Sequence, residues 1–159
     1  MYARDMARIA TPVGLVTISG DEQWLQAITI GGEGDAMPGT TDPVRAAVDQ
    51  VQAWFAGART TFALPLASAL SVRGEALRTA MVEIPYGDAL SYGALAKIAG
   101  SSARAIGQAC ARNPFPIVVP CHRVLNASGS LGAYSAGEGP VTKQWLLDFE
   151  RRGRRDLLL

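Results

Sequence analysis

The apolar residues of this chain change their spacing after the first quarter of the sequence, and this change restricts the fold more than any other feature. Residues 13–19 and 25–30 are short, rich in Val, Ile and Thr, and separated by a polar turn that begins at Gly20. This arrangement is typical of a β-hairpin. From residue 42 onward, apolar residues recur every three or four positions, as they do on one face of a helix. A hairpin followed by helices predicts an α+β fold.

The first helix is predicted to begin at Asp42-Pro43, where Asp42 offers a side-chain cap and Pro43 a favourable φ. Its apolar face consists of Val44, Ala47, Val48, Val51, Trp54 and Phe55. A polar, Gly-rich loop is expected before it, over residues 31–41, and residues 60–64 are predicted to return as a strand. Together these elements indicate a small N-terminal α/β lobe.

We place the domain boundary after this lobe, which gives domains 1–68 and 69–159. The second domain is predicted to be helical, with helices over residues 71–83, 91–99, 103–112 and 142–152. The middle two are separated only by Gly100 and a Ser cap, which suggests a helix-turn-helix. The apolar run 117–119 is long enough for one buried strand.

The two parts of the chain differ in charge. Residues 1–90 carry 6 Arg or Lys against 10 Asp or Glu, whereas residues 91–159 carry 9 against 4. This asymmetry favours an anionic partner for the second part. The alternative is a solvated basic tail, because the run RRGRR (151–155) supplies four of the nine positive charges.

The composition also restricts compartment and cofactors. Only two cysteines occur, Cys110 and Cys121, which is too few for a disulfide framework and fits a reducing compartment. Two Cys and one His are not enough for a structural zinc site, so we expect no metal and no cofactor. Neither a membrane-spanning apolar stretch nor a signal peptide is apparent, and we therefore expect a cytoplasmic protein.

Cys121 stands next to the only histidine, His122, which is followed by Arg123. A cysteine reacts as the thiolate, and either neighbour could lower its pKa. Adjacent side chains in an extended segment point to opposite sides, so a direct Cys121–His122 bond needs a turn or a bridging water. A Cys-His pair alone is more often without a catalytic role, and by itself it leaves the function open.

Several segments resemble one known family closely. They are IPYGDALSYGALAKIAG (84–100), ARAIGQACARNPFPIVVPCHRV (103–124), GSLGAYSAG (129–137) and KQWLLDFE (143–150). Most of residues 84–150 is similar to the O6-alkylguanine-DNA alkyltransferases, and PCHRV is the most specific match. The resemblance implies a ribonuclease H-like N-terminal lobe and a C-terminal lobe with a winged helix-turn-helix. It also implies irreversible, single-turnover transfer of an alkyl group from O6-alkylguanine in DNA, with O4-alkylthymine left open as a second substrate.

The resemblance assigns catalytic roles to five residues of this chain. Cys121 is the alkyl acceptor, His122 its water-mediated base, and Glu150 the acid that holds the imidazole. Tyr92 corresponds to the tyrosine that donates a hydrogen bond to the departing base. Asn113 corresponds to the asparagine that connects the recognition helix with the active-site turn.

Further residues are expected to line the guanine pocket, namely Val124, Ser135, Tyr134, Pro116 and Gly132. The implied partner is double-stranded DNA containing O6-alkylguanine, bound by a monomer without an obligate protein partner. The alkylated nucleotide must be flipped out of the duplex, and Arg104 is expected to fill the gap. The small residues Ala103, Ala105 and Gly107, with Tyr92, are expected to contact the minor groove. Without the resemblance, a helix so poor in bulk would suggest a packed internal helix.

Three departures from the family pattern stand out. The link after Gly100 is about two residues shorter than usual, and the loop 136–142 is about two residues longer, with Ala136 in place of the usual Gly. The helix over residues 71–83 lacks the aromatic residues that the family places there.

Three other functions would require different features in the sequence. A non-catalytic protein that binds alkylated DNA and recruits repair factors would share the helix-turn-helix but lack the acceptor cysteine. A transcriptional regulator would carry polar side chains that reach base edges, whereas residues 103–111 are mostly Ala and Gly. A cysteine hydrolase would require an oxyanion hole, for which the sequence shows no dedicated motif.

Overall fold

The structure, a computed structural model, describes residues 4–158. The chain divides into two compact units, of which the first ends at Ala67 and the second begins at Ser68. The expected mixture of an antiparallel sheet and helices is confirmed.

The first unit is built on a sheet of four antiparallel strands in the order β3-β2-β1-β4. The strands are β1 (Asp5–Thr11), β2 (Gly14–Gly20), β3 (Leu25–Ile30) and β4 (Met37–Pro38), followed by α1 (Asp42–Phe55). The predicted hairpin is therefore confirmed as β2 and β3. Strand β1, which we did not predict, pairs with β2 along its whole length, from Asp5 opposite Gly20 to Thr11 opposite Gly14.

The core of this unit follows from the alternation of the strands and the spacing of α1. The inward residues of β1 and β2 are Ala7, Ile9, Val16 and Ile18, and those of α1 include Val44, Ala47, Val51 and Trp54. All eight are buried, because side chains point to one face at every second strand position and at every third or fourth helix position.

Three predictions for this unit were wrong in detail. The loop expected over residues 31–41 contains the short strand β4, which pairs with β1. The capping residue of α1 is Thr41 rather than Asp42, and its hydroxyl donates to the carboxylate of Asp5 instead of capping the helix. Residues 60–64 form no strand. The side chain of Gln50 bonds both the N–H and the carbonyl of Ala63, so these backbone groups need no strand partner. Only an isolated bridge forms, between Leu25 and Leu66.

The second unit contains four helices and one two-stranded parallel pair. These are α2 (Val72–Val82), β5 (Leu90–Ser91), α3 (Tyr92–Ala99), α4 (Ala103–Ala111), β6 (Val124–Leu125) and α5 (Pro140–Leu157). The predicted helices are confirmed, and Ser71, Ser91 and Ser102 cap three of them by accepting from a backbone N–H three residues later. Gly100 ends α3 in the left-handed conformation with φ 64°.

The segment 117–119 is buried as expected, but it forms a turn rather than a strand. Ile117 has φ 75°, and the N–H of Val119 donates to the carbonyl of Phe115 at 2.8 Å. Asn113 closes the turn, because its side chain accepts from the N–H of Phe115 and donates to the carbonyl of Val119. The proline at each side of Phe115 supplies no N–H for a strand ladder.

Helix α5 continues five residues beyond the predicted end, through the basic run 151–155, so this run is helical. Its four arginines are exposed. Within residues 4–158, no helix combines the length and the apolar character needed to cross a bilayer.

Candidate active site

Cys121 lies at the start of a 3-10 turn formed by Cys121–Arg123, immediately after Pro120. Its side chain is buried, and its Sγ accepts a hydrogen bond from Nδ2 of Asn113 at 3.2 Å. The same Nδ2 donates to the carbonyl of Val119 at 2.8 Å. Asn113 follows α4 directly, so a single amide connects the end of that helix with the thiol.

The 3-10 turn brings His122 and Glu150 together in the core. Nε2 of His122 lies 3.1 Å from Oε2 of Glu150, and both side chains are shielded from solvent. The ring N–H is not aligned with the carboxylate well enough to form a hydrogen bond. The contact is therefore a short electrostatic interaction. The sequence predicts that a direct Cys121–His122 bond needs a turn or a bridging water. The turn is present, but within the described residues neither ring nitrogen of His122 has a hydrogen-bond partner, so the thiol and the imidazole are not bonded directly.

Glu150 has a second partner, Arg123. The guanidinium Nε and Nη2 lie 2.9 and 2.5 Å from the two carboxylate oxygens, and Nη1 donates to the carbonyl of Ile84 at 2.6 Å. The sequence suggests Arg123 as a charge that could lower the pKa of the thiol. The structure places its charge on Glu150 instead, so Arg123 stabilises the carboxylate that faces His122.

Burial determines the resting charges of the site. It raises the pKa of Cys121, although the Asn113 hydrogen bond and the charge of Lys143 oppose this effect. It lowers the pKa of His122, despite the opposing attraction of Glu150. Burial also disfavours the Glu150 carboxylate, but His122 and Arg123 outweigh it and lower that pKa to about 2. The resting site therefore holds a neutral thiol, a neutral imidazole and a carboxylate paired with Arg123.

Lys143 is a part of the site that the sequence analysis missed. It is fully buried, and its Nζ donates to the carbonyls of Val124 at 2.7 Å and Ala133 at 3.3 Å. Nζ also lies 5.8 Å from the centre of the Tyr92 ring. A signal was present in the sequence, because Lys143 falls at core spacing with Leu146, Leu147 and Glu150 on one face of α5.

A cavity of about 220 Å³ lies at the thiol. It is lined by Tyr92, Gly107, Cys110, Ala111, Cys121, Ala133, Tyr134 and Ser135. Of the residues expected at the guanine pocket, Tyr134 and Ser135 line it, whereas Val124, Pro116 and Gly132 are not among its lining residues. Cys110 is a second thiol in the same cavity, and burial raises its pKa to about 12.

The three remaining pocket residues lie close to the site in other roles. Val124 is buried in β6 and offers its carbonyl to Lys143. Pro116 lies in the buried turn after Asn113. Gly132 has φ 71°, and a Cβ at this position would lie 3.3 Å from the hydroxyl of Tyr92, so the tight approach expected at this glycine is present.

Helix α4 exposes different residues on two faces. Gly107, Cys110 and Ala111 line the thiol cavity, whereas Arg104, Ala105, Gln108, Ala109 and Arg112 line a separate and larger cavity next to α2. Ala103 and Arg104 are exposed, as a DNA contact requires. One helix of nine residues therefore carries most of the residues expected to bind DNA and also supplies part of the lining of the thiol cavity.

Fold and site together define a protein of mixed α/β structure in which a buried cysteine adjoins a buried histidine in contact with a glutamate. The family model described as "6-O-methylguanine DNA methyltransferase, DNA binding domain" matches residues 74–152. The chain is 40% identical to the methylated-DNA–protein-cysteine methyltransferase of Mycolicibacterium paratuberculosis over 91% of this chain and 90% of that protein. It belongs to the methylated-DNA–protein-cysteine methyltransferase family.

Two further similarities concern DNA. The structure of Mycobacterium tuberculosis OGT in complex with DNA superposes with a TM-score of 0.79 at 36% identity, covering 93% of each chain. A protein of Thermus thermophilus named DNA base-flipping protein is 45% identical over 64% of this chain and 69% of its own length.

Proposed function

We propose that this protein repairs DNA by direct reversal, moving one alkyl group from O6 of guanine in a duplex to Sγ of its own Cys121. The observation that carries this proposal is the position of Cys121. Its thiol lies at a cavity and is hydrogen-bonded to Asn113, and the adjacent residue in the 3-10 turn is a buried imidazole in contact with Glu150. A neutral thiol needs a base, and a neutral His122 is available to accept its proton.

The reaction balances without a cofactor. The thiol of Cys121 loses one proton, its sulfur forms a bond to the alkyl carbon, and the bond from that carbon to O6 breaks. The departing guanine gains one proton at N1, so the proton lost by the thiol equals the proton gained by the base. Glu150 stabilises the imidazolium of His122 while the proton is in transit. Tyr92 lines the cavity and donates a hydrogen bond to the base as it leaves.

The alkylated base must leave the duplex to reach a buried sulfur. The relative named DNA base-flipping protein supports this step. Arg104 occupies the space of the extruded base, and the small residues Ala103, Ala105 and Gly107 allow α4 to approach the minor groove closely. The OGT–DNA complex supports DNA as the partner.

We further propose that domain 1–68 has a ribonuclease H-like fold and that domain 69–159 carries a winged helix-turn-helix formed by α3 and α4. The protein acts as a monomer in the cytoplasm, where its two free cysteines stay reduced. Transfer is irreversible, because a thioether at Cys121 has no leaving group.

The test is to incubate the protein with a duplex containing one O6-methylguanine and to locate the added methyl group by peptide mass spectrometry. We expect one methyl on the Cys121 peptide per protein molecule, and none in Cys121→Ser. Cys110 provides an internal control, because it lines the same cavity and should remain unmodified. Repeated turnover by substoichiometric protein would refute irreversible transfer. Tight binding without transfer would instead support a non-catalytic protein that recruits repair factors.

A further inference from the structure

A cavity of about 660 Å³ lies between α2 and α4 in the second unit. We call it the arginine groove, because Arg73, Arg78, Arg104 and Arg112 line it, and no Asp or Glu is among its lining residues. Its floor is apolar and includes Leu77 of α2. A groove with four guanidinium groups and no carboxylate favours a polyanion.

The first turn of α2 contains a glycine, Gly74, which lines the groove. The family places aromatic residues in this helix, whereas this chain has Val72, Gly74 and Ala76. Gly74 lets the preceding segment fold over the first turn, since a Cβ there would lie 2.9 Å from Oγ of Ser71 and 3.0 Å from the carbonyl of Ala69.

Two of the four arginines are already engaged. Arg78 lies 3.8 Å from the carboxylate of Glu75 and covers the ring of Phe115 at 5.4 Å. The carboxylate of Glu75 also accepts a hydrogen bond from the N–H of Ala69 at 2.6 Å. Its two partners, Arg78 and Ala69, both line the groove. Arg104 is assigned above to the gap left by the flipped base.

Arg73 and Arg112 remain for a ligand. Both are exposed. Arg73 donates to the hydroxyl of Ser101 at 3.2 Å, which directs it toward the start of α4. Arg112 ends α4, and within residues 4–158 its side chain makes no ion pair or hydrogen bond. These two cations therefore lie toward opposite ends of the same helix, at one edge of it.

The geometry of α4 determines which anion reaches them. A helix in the minor groove, which is about 6 Å wide, has one phosphate backbone on each side. The face of α4 with Gly107 and Cys110 borders the cavity that receives the damaged base, so the damaged strand lies on that side. The opposite strand must then pass along the other face, where the arginine groove lies.

We propose that Arg73 and Arg112 bind the phosphodiester backbone of the undamaged strand, opposite the lesion. This inference rests on the proposed function, since it assumes that α4 enters the minor groove next to a flipped base. It adds a second strand contact that holds the complementary strand in place while the damaged nucleotide rotates out.

The test measures binding to the O6-methylguanine duplex by fluorescence anisotropy across a series of salt concentrations. Each phosphate contact contributes about 0.9 to the slope of log K against log salt. Arg73→Ala/Arg112→Ala should therefore lower the slope by about 2 and weaken binding roughly 60-fold at 0.1 M salt. Arg73→Lys/Arg112→Lys keeps both charges and should restore most of the affinity.

Two controls make the result specific. Arg151→Ala/Arg152→Ala removes the same charge from α5, and an equal loss of affinity in this variant would overturn the proposal. Methylphosphonate linkages carry no charge and are placed in the undamaged strand, opposite the lesion. They should weaken DNA binding by the wild-type protein but should not weaken binding by the double Ala variant any further. The same linkages placed in the damaged strand should weaken both proteins equally. The strand assignment would be refuted if the double Ala variant bound as tightly as the wild-type protein. It would also be refuted if the effect of the double Ala substitution and that of methylphosphonates in the damaged strand were not additive.

A second assay separates the binding result from the proposed chemistry. The nucleoside O6-methyl-2′-deoxyguanosine has no phosphate, so transfer from it reports on the acceptor alone. The double Ala variant should therefore lose activity only toward the duplex. Failure of the wild-type protein to methylate Cys121 would refute the proposed function and leave the binding result standing. Retained transfer with unchanged salt dependence in the double Ala variant would refute the groove and leave the function standing.

Discussion

Replacing Glu150 by Gln removes the negative charge that faces Arg123 and His122 in the core and keeps the shape of the side chain. Glu150 faces Arg123 through two hydrogen-bonded nitrogens and His122 at 3.1 Å, and all three side chains are almost fully shielded from solvent. Breaking a buried ion pair by removing one partner costs about 3–5 kcal/mol, because the other charge is left uncompensated. In a chain of this size we expect the melting temperature to fall by roughly 6–20 °C.

The same substitution should slow alkyl transfer. Glu150 raises the pKa of His122 against the effect of burial, so its loss makes the imidazole a weaker base. A hydrogen bond to a charged group is worth about 1.5–3 kcal/mol, and we expect Glu150 to stabilise the imidazolium by this amount, which corresponds to roughly 10- to 150-fold in rate. The assay is single-turnover methylation of Cys121 from an O6-methylguanine duplex, run below the melting temperature of the variant.

A second substitution separates the two effects. Arg123→Met/Glu150→Gln removes both charges of the buried pair, so the double variant should be more stable than Glu150→Gln alone. Its transfer rate should nevertheless stay low, because His122 still lacks a carboxylate. A double variant that recovers both stability and rate would show that Glu150 acts only through the fold. An unchanged melting temperature in the single variant would refute the argument about burial.

Three further outcomes are expected. Asn113→Asp replaces the donor to Cys121 with a negative charge, so the thiol pKa should rise and transfer should slow at least tenfold, as followed by the pH dependence of thiol alkylation. Lys143→Met leaves two buried carbonyls without their donor, and urea unfolding should show a loss of about 1–3 kcal/mol. Because His122 and Glu150 bind protons more weakly when folded than when unfolded, stability is full above the unfolded pKa values. It should decline as the pH falls below about 6.5 through His122, and further between about 4.5 and 2 through Glu150, as thermal melts across pH would show.

The local elements of this fold could be predicted because their signals are local. Three serines precede helices and accept the expected backbone N–H, and Gly100 ends α3 with a positive φ. The strand predictions for 60–64 and 117–119 were wrong for a common reason. In both segments a side-chain amide, from Gln50 or Asn113, satisfies backbone groups that a strand partner would otherwise bind.

The site was only partly accessible to sequence reasoning. The adjacency of Cys121 and His122 is visible in the chain, but Glu150 lies 28 residues beyond His122, and only the family resemblance connected the two. Pairing between Glu150 and Arg123 is a property of the folded core, since it depends on how α5 packs against the 3-10 turn. The assignment of roles to these residues stays a prediction until the transfer assay is done.

The buried, protonated state of Cys121 has a consequence for the lifetime of the unused protein. A protein that reacts once is a reagent, and its capacity is the number of molecules still intact when damage arrives. Electrophiles and oxidants consume thiolates far faster than thiols, and burial keeps Cys121 in the thiol form. The low reactivity of the buried thiol therefore preserves the sulfur until the correct base enters the cavity.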